Sequence, residues 1–242
     1  MLQTIKKLYI NEQFNPKILS LLISPSYLQR KFLYNEITPF LSLLNGKLLD
    51  IGCGTKPYKN ILKVNEYIGL EINKNNPYAD IYYDGKEIPL ENETFDSILS
   101  SEVFEHVFNP NEFLQEANRV LKQDGLVLIT VPFVWDEHEQ PFDYARYTSF
   151  GLEHILNKNG FKIIKSKKIG NGSEVIFQML NSYFHKITLS KKVYVNFLKT
   201  FFLIAPTNII GLIFSKLLPR NNDLYLGNIV LAKKINTISK GK

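Results

Sequence analysis

Apolar and polar positions change period several times along this chain, and each change marks an expected element. Between residues 28 and 44, apolar side chains recur at 28, 32, 33, 37, 40, 41 and 44, the spacing of one helix face, with Ser24 or Ser26 as the cap. Pro39 should kink or divide that helix, and Asn45-Gly46 reads as its stop. The pattern then turns to short strand-like runs: KLLDI (47–51), YIGLEI (67–72), ADIYYD (79–84), FDSILSS (95–101) and LVLITVPF (126–133). The last run is apolar throughout, as expected of a strand buried on both faces. Helical pieces at 111–121 and 149–159 interrupt the series and run out at Asp124-Gly125 and at Gly160. FKIIKSKKI (161–169) and LYLGNIVLA (224–232) complete it. Strands alternating with helices predict an α/β fold, a parallel sheet with helices on both faces.

The alternation breaks once. Residues 171–222 are apolar, aromatic and lysine-rich, with helical spacing around 175–185 and 193–218, and a strand follows them. They read as an insertion, not as a domain of their own. The expected organisation is an N-terminal helical segment (1–45), a core (46–170), the helical insertion (171–222), and the last strand with a tail (223–242). Charge follows the same division. The 242-residue chain has a net charge of +6, yet residues 1–160 hold 15 basic and 21 acidic residues, while 161–242 hold 14 basic and 2 acidic. A basic second part suits an anionic partner, either a membrane surface or a polyanionic substrate. A genome that uses lysine freely would give the same count. The longest uncharged stretch, 200–215, has 16 residues with Pro206 inside it. That is short of the roughly 20 residues of a spanning helix, so a core or membrane-surface helix is expected. Lys6 and Lys7 are followed by polar residues and not by an apolar run, so no secretory leader is expected. The single cysteine, Cys53, excludes an intramolecular disulfide. Both features point to a reducing, cytoplasmic setting.

The sharpest chemical signal is LLDIGCGT, residues 48–55. A buried strand ends in an acid and is followed by Gly-x-Gly, which lets the chain turn sharply and lets a ligand approach the backbone. Glu71 ends the next strand, where a carboxylate can accept hydrogen bonds from ribose hydroxyls. A nicotinamide site would want a third glycine where Pro57 stands. Asp50 would also repel a diphosphate. It suits a cationic ligand, and S-adenosylmethionine carries an α-ammonium and a sulfonium.

These residues, with DGKEIPLENETFDSILSSEVFEHV (84–107) and RVLKQDGLVLITVPF (119–133), resemble the class I S-adenosylmethionine-dependent methyltransferases of the broad methyltransferase-11 type. The likeness covers roughly 46–170 and 224–234. Thr55-Lys56 stands where a third glycine often sits. The resemblance implies a Rossmann-like, seven-stranded, mostly parallel sheet whose last strand is antiparallel. It implies that Asp50, Gly52, Cys53 and Gly54 line the methionine end of the cofactor and that Glu71 holds the ribose. Asp84 and Gly85 would meet the adenine, and Ser101 would sit near the methyl group. A plain turn explains Asp84-Gly85 as well.

Methyl transfer to a hydroxyl needs alignment and a route for the proton. Two clusters could supply it. In SEVFEHV (101–107), Glu102, Glu105 and His106 share one side if a helix opens there, and two carboxylates with an imidazole can bind a divalent metal. The pattern resembles that of metal-assisted small-RNA 2′-O-methyltransferases and ubiquinone-pathway O-methyltransferases, with His138 as the later histidine. Alternatively, His106 packs under the sheet and Glu105 pairs with a base such as Arg119. The second cluster, 131–152, follows the fifth strand and resembles the signature of a methyltransferase subgroup linked to cell-surface saccharide pathways. His138 is the candidate base, with Arg146 and Tyr147 for substrate contact, unless Asp143 and Arg146 merely pair to hold the loop.

The insertion carries an apolar stripe flanked by Lys186, Lys191, Lys192, Lys199 and Lys216. Cationic edges around an apolar face suit anionic lipid on the inner membrane face and a lipid-linked saccharide acceptor. A helical cap or a homodimer interface needs the same face. Nucleic acid is disfavoured, because the aromatics alternate with aliphatics at core spacing. The expected activity is O-methylation of a saccharide or lipid-linked small molecule. A quinone-type or other small metabolite is the alternative acceptor. A cofactor-binding module without catalysis is the alternative class.

Overall fold

Why the first strands form where they do is visible in the burial of the computed structural model, which describes residues 12–235. Lys6, Lys7, the start of the expected N-terminal segment and the end of the tail lie outside the described residues. Strand β1 (Lys47–Ile51) has four consecutive buried residues, as a strand covered on both faces requires. Strands β2 (Glu66–Glu71), β3 (Ile81–Tyr82), β4 (Phe95–Ser101) and β5 (Leu121–Pro132) follow, and later β6 (Phe161–Ile169) and β7 (Gly227–Lys234). They make one seven-stranded sheet in the order β3-β2-β1-β4-β5-β7-β6. The pairs β1–β2, β1–β4, β2–β3 and β4–β5 are parallel. Strand β7 runs the other way: Leu226, just before it, donates to Ile169 O at the end of β6, while Ile235, just after it, donates to Gly160 O at the beginning of β6. The order reverses at β1, and the crevice outside the carboxyl ends of β1 and β4 is where ligands of open α/β sheets sit.

Two units divide the chain. The sheet unit takes in 38–133, 137–167 and 228 onward. Its core includes the fully buried Leu49, Ile51, Phe95, Ile98, Phe104, Val127 and Phe161. Helix α3 (Pro110–Val120) begins with proline at its first turn and buries Phe113, Leu114, Ala117 and Val120, one face of a helix. Helix α4 (Ser149–Lys158) is capped by Thr148, whose side chain accepts from Gly151 N. Strand β5 begins earlier than the apolar run at 126, because 121 pairs with 95 before a register shift. The expected turn is still present there, with Asp124 at φ 64°.

The other unit joins the N-terminal helices to 134–136 and 168–227. Helices α1 (Ile18–Ile23) and α2 (Tyr27–Leu41) lie before the sheet. Pro39 neither divides α2 nor ends it; it falls in the last turn, where the break it makes in the hydrogen-bond ladder has only two helical residues after it to disturb. The insertion forms α5 (Gly172–Thr188), α6 (Val193–Lys199) and α7 (Ala205–Leu217). Asn171 and Glu174 build a capping box on α5. A wide π turn at Thr200–Ile204 joins α6 to α7 just before Pro206, which has no N–H to give to the preceding turn. The helical stretch thus runs 24 residues, Tyr194–Leu217, with a mean hydropathy of 1.8 over its most apolar 18-residue window, long and apolar enough to cross a membrane by length and composition. The helical spacing expected at 193–218 is met, and the helix is longer than the 16-residue uncharged stretch because Lys199 and Lys216 lie within it. One face of α7 is packed: a Cβ on Gly211 would lie 2.8 Å from Leu28 and 2.9 Å from Phe177. Asn208 is fully buried and donates to Leu21 O at 2.9 Å and Ser24 O at 3.0 Å.

Candidate active site

Parallel strands deliver their following loops to one edge, so the segments after β1, β2, β4 and β5 share it. In the β1 loop Gly52 has φ 72° and Gly54 φ 51°, a region that costs other residues about 1–2 kcal/mol. A Cβ on Gly52 would lie 2.4 Å from Val103, whereas one on Gly54 would meet nothing within 4 Å. Gly52 therefore serves close packing, and Gly54 opens onto free space. Cys53 turns inward: it is 2% exposed and lies under Gly69, and burial pushes its thiol up to about 12. Only its backbone remains for a ligand.

Asp50 is 3% exposed and accepts the Tyr67 hydroxyl. Burial raises its carboxyl to about 7, against the pull of that hydrogen bond and of Lys56. Glu71 accepts from Gly54 N at 3.2 Å, Ile72 N at 2.9 Å and Asn76 Nδ2 at 3.3 Å. A carboxylate offers about four lone-pair sites, so it retains capacity for a further donor. Asp84 is exposed, and its Oδ1 accepts from Lys86 N at 2.9 Å, with Gly85 at φ 86°. A Cβ on Gly85 would approach Ile72 at 3.3 Å. Ile72 itself is 55% exposed, an apolar side chain displayed at the end of β2.

On the β4–β5 side, Ser101 Oγ lies 3.0 Å from Thr130 Oγ1. The expected helix after β4 is only a single 3-10 turn, Phe104–His106. Glu102 precedes that turn at φ 55° and accepts from Thr130 Oγ1 at 2.9 Å. The expectation that Glu102 shares a face with Glu105 and His106 therefore fails, because no helix carries it round. Glu105, His106 and His138 do come together, with ligand atoms all within 4.8 Å of one another. Glu105 is fully buried, and neither of its carboxylate oxygens accepts a hydrogen bond. Burial, and secondarily Glu102, holds its pKa well above the usual carboxylate range. It does not pair with Arg119, which binds Glu116 Oε1 and Oε2 at 2.8 and 2.7 Å.

The 131–152 loop is held by its own ion pair. Arg146 grips Asp143 with two contacts of 2.6 Å, and the guanidinium holds that carboxyl far below its usual range. Asp143 in turn faces His138: Oδ2 is 3.2 Å from Nδ1 and accepts from His138 N at 3.0 Å. Arg146 thus bears on His138 through Asp143. Tyr147 packs on Phe104 in a tilted arrangement with ring centroids 5.0 Å apart, and burial followed by the charge of Glu105 raises its pKa. Tyr67 and Thr130 were missed from sequence. Their signal is register: Ser101 pairs with Thr130, and Tyr67 is the diagonal neighbour of Asp50.

A family model described as a methyltransferase domain matches residues 26–166. The chain belongs to that family. It is a class I S-adenosylmethionine-dependent methyltransferase. Two uncharacterized proteins of Methanocaldococcus jannaschii align with this methyltransferase. One is 28% identical over 145 residues, covering 50% of this chain and 67% of that protein. The other is 31% identical over 140 residues, covering 53% of this chain and 50% of that protein. Among solved structures, the [4+2]-cyclase SpnF has a TM-score of 0.57 at 16% identity, covering 86% of this chain and 83% of that one. An S-adenosylmethionine dependent methyltransferase from Mesorhizobium loti has a TM-score of 0.53 at 12% identity, covering 86% and 100%. At such identities they show the fold alone, and one fold serves unlike reactions.

The residues present fit the cofactor. Gly54 leaves the space a backbone-hugging ligand needs, Glu71 retains acceptor capacity, and Asp50 gains from a nearby cation, which would draw its pKa back down. Asp50, Glu71 and the glycine backbone would hold the amino-acid end and the ribose, with Ile72 and Gly85 beside the base. S-adenosylmethionine supplies an electrophilic methyl carbon on a sulfonium.

Proposed function

We propose that this methyltransferase transfers its methyl group to an oxygen of a saccharide or lipid-linked small molecule, at the cytoplasmic face of a membrane. The observation that carries the oxygen is the chain Arg146–Asp143–His138, which ends beside the buried Glu105. A hydroxyl must shed a proton as it attacks, and a nitrogen nucleophile needs no such machinery once neutral. His138 has its Nδ1 engaged by Asp143, and its Nε2, turned toward Glu105 Oε1 at 3.8 Å, is the nitrogen that would draw on an acceptor hydroxyl. Arg146 and Asp143 fix its ring, and Tyr147 and Phe104 wall the site. Alignment of the acceptor oxygen would supply the larger share of the acceleration, about 7–11 kcal/mol in good intramolecular cases.

The lipid-linked part rests on the helical unit. Phe202 and Leu217 are 66% and 72% exposed, while Lys199 and Lys216 flank them. An apolar face edged by lysine suits an anionic monolayer. The test is methyl transfer from labelled S-adenosylmethionine to three acceptor sets: free saccharides, polyprenyl-linked saccharides and quinols. Label on a saccharide oxygen supports the reading, and label confined to quinols or to nitrogen overturns it. Co-sedimentation with anionic vesicles at low salt tests the membrane part separately. Loss of binding there would leave the exposed face to a cap or a second copy of the chain.

A further inference from the structure

We infer that Glu105, His106 and His138 form a binding site for one divalent transition-metal cation, held by Glu105 Oε1 and the two Nε2 atoms. The inference deepens the oxygen-acceptor reading and rests on it for purpose, but not for geometry.

The two tautomers are fixed by their neighbours. His106 Nδ1 lies 2.8 Å from the Phe142 carbonyl, which can only accept, so Nδ1 carries the hydrogen. His138 Nδ1 lies 3.2 Å from an oxygen of Asp143, whose two oxygens are already gripped by Arg146. Its hydrogen is therefore also on Nδ1. Each Nε2 then presents a lone pair, and both stand 3.8 Å from the same oxygen, Glu105 Oε1. Three electron-rich atoms thus face one another, all within 4.8 Å. Glu105 is fully buried with both oxygens unpartnered, which is costly unless a cation completes the group.

The separations suit a metal better than a shared proton. A hydrogen bond would close them to about 2.8 Å. Ligands about 2.1 Å from one ion stand about 3.0–3.4 Å apart, an inward movement from 3.8 Å on the two Glu105 sides and from within 4.8 Å on the third. Ligating histidines typically donate their other nitrogen to a carbonyl or carboxylate, the arrangement Phe142 and Asp143 provide. Two imidazoles and one carboxylate favour zinc, cobalt or iron over magnesium or calcium. Three protein ligands leave open positions for an acceptor oxygen.

The reaction then balances simply. Coordination lowers the pKa of the acceptor hydroxyl, and its proton leaves to solvent. The oxygen lone pair forms the new C–O bond, the carbon–sulfur bond breaks, and its electron pair returns to sulfur as the thioether of S-adenosylhomocysteine. In the loaded protein His138 acts as a ligand and not as the proton acceptor.

The test uses the full chain, stripped with chelator and titrated with Co2+ followed by its visible spectrum and with Zn2+ by calorimetry. One equivalent should bind, with a ligand-field band of nitrogen–oxygen coordination. Glu105→Gln and the double change His106→Gln with His138→Gln should each weaken binding at least tenfold. S-adenosylhomocysteine affinity should stay unchanged, which reports that the variants are folded. Absence of stoichiometric binding in the wild type, or full retention in the double variant, would overturn the metal while leaving methyl transfer to oxygen standing. Stoichiometric binding without transfer to any hydroxyl acceptor would support the metal and sink the acceptor reading.

Discussion

Two loops at the same sheet edge treat their buried carboxyls in opposite ways. At the end of β1, Asp50 is buried but has the Tyr67 hydroxyl as a partner, and the half-buried Glu71 at the end of β2 is engaged by three donors. After β4, Glu105 is buried with neither oxygen hydrogen-bonded, and two histidine nitrogens face it. The first site is complete as a protein and adds a ligand by opening a space at Gly54. The second leaves a buried carboxyl that the proposed cation would complete. The contrast fits a cofactor side that preorganises a backbone cradle and an acceptor side that moves a proton.

The largest way to break the first half of this contrast is Gly52→Val. Its Cβ would collide with Val103, at a φ that β-branched residues avoid. S-adenosylhomocysteine affinity, read by calorimetry, should fall at least a hundredfold, or about 2.7 kcal/mol. Next comes Arg146→Met, which strands Asp143 in the second loop. Stability at pH 7, read by denaturant unfolding, should drop by about 2 kcal/mol. The sign with pH follows from the depressed pKa of Asp143: its stabilisation is present above the unfolded value near 4 and lost as pH falls toward the folded one. The gap between wild type and variant should therefore shrink below about pH 4. His138→Ala should then lower turnover at least tenfold while cofactor affinity stays nearly unchanged. Unchanged turnover would remove His138 from the mechanism.

The smallest effect concerns Asp50. Its carboxyl sits at about 7 in the free protein. A bound ammonium favours the ionised form, so cofactor affinity should rise several-fold between pH 6 and pH 8, with proton release. Calorimetry in two buffers of different ionisation enthalpy measures that proton. Affinity that falls over this range would mean that Asp50 does not face the cationic end.

How much of this was legible beforehand differs between the same two loops. Strand periodicity located β1, β2, β4 and β6 to within a residue, and Gly-x-Gly with Glu71 marked the cofactor cradle. These are local signals, carried by contiguous residues. The pairing of Asp143 with Arg146 was legible as an alternative, since the two lie three residues apart. Glu102 was misplaced because its position depended on a helix, and a single 3-10 turn stands there instead. The orphaning of Glu105 was not legible at all. It depends on where Arg119 goes, and Arg119 is drawn away by Glu116 and the carbonyls of Ile88 and Leu90. Asp50–Tyr67 needed a strand register that spacing alone does not give.

The most direct measurement is a crystal structure with S-adenosylhomocysteine. The ribose hydroxyls should rest on Glu71, the amino-acid end on the 50–54 loop, and the sulfur should open toward the Glu105–His106–His138 cluster. A nucleoside bound away from Glu71, or a sulfur directed to the other side of the sheet edge, would contradict the division of labour between the two loops.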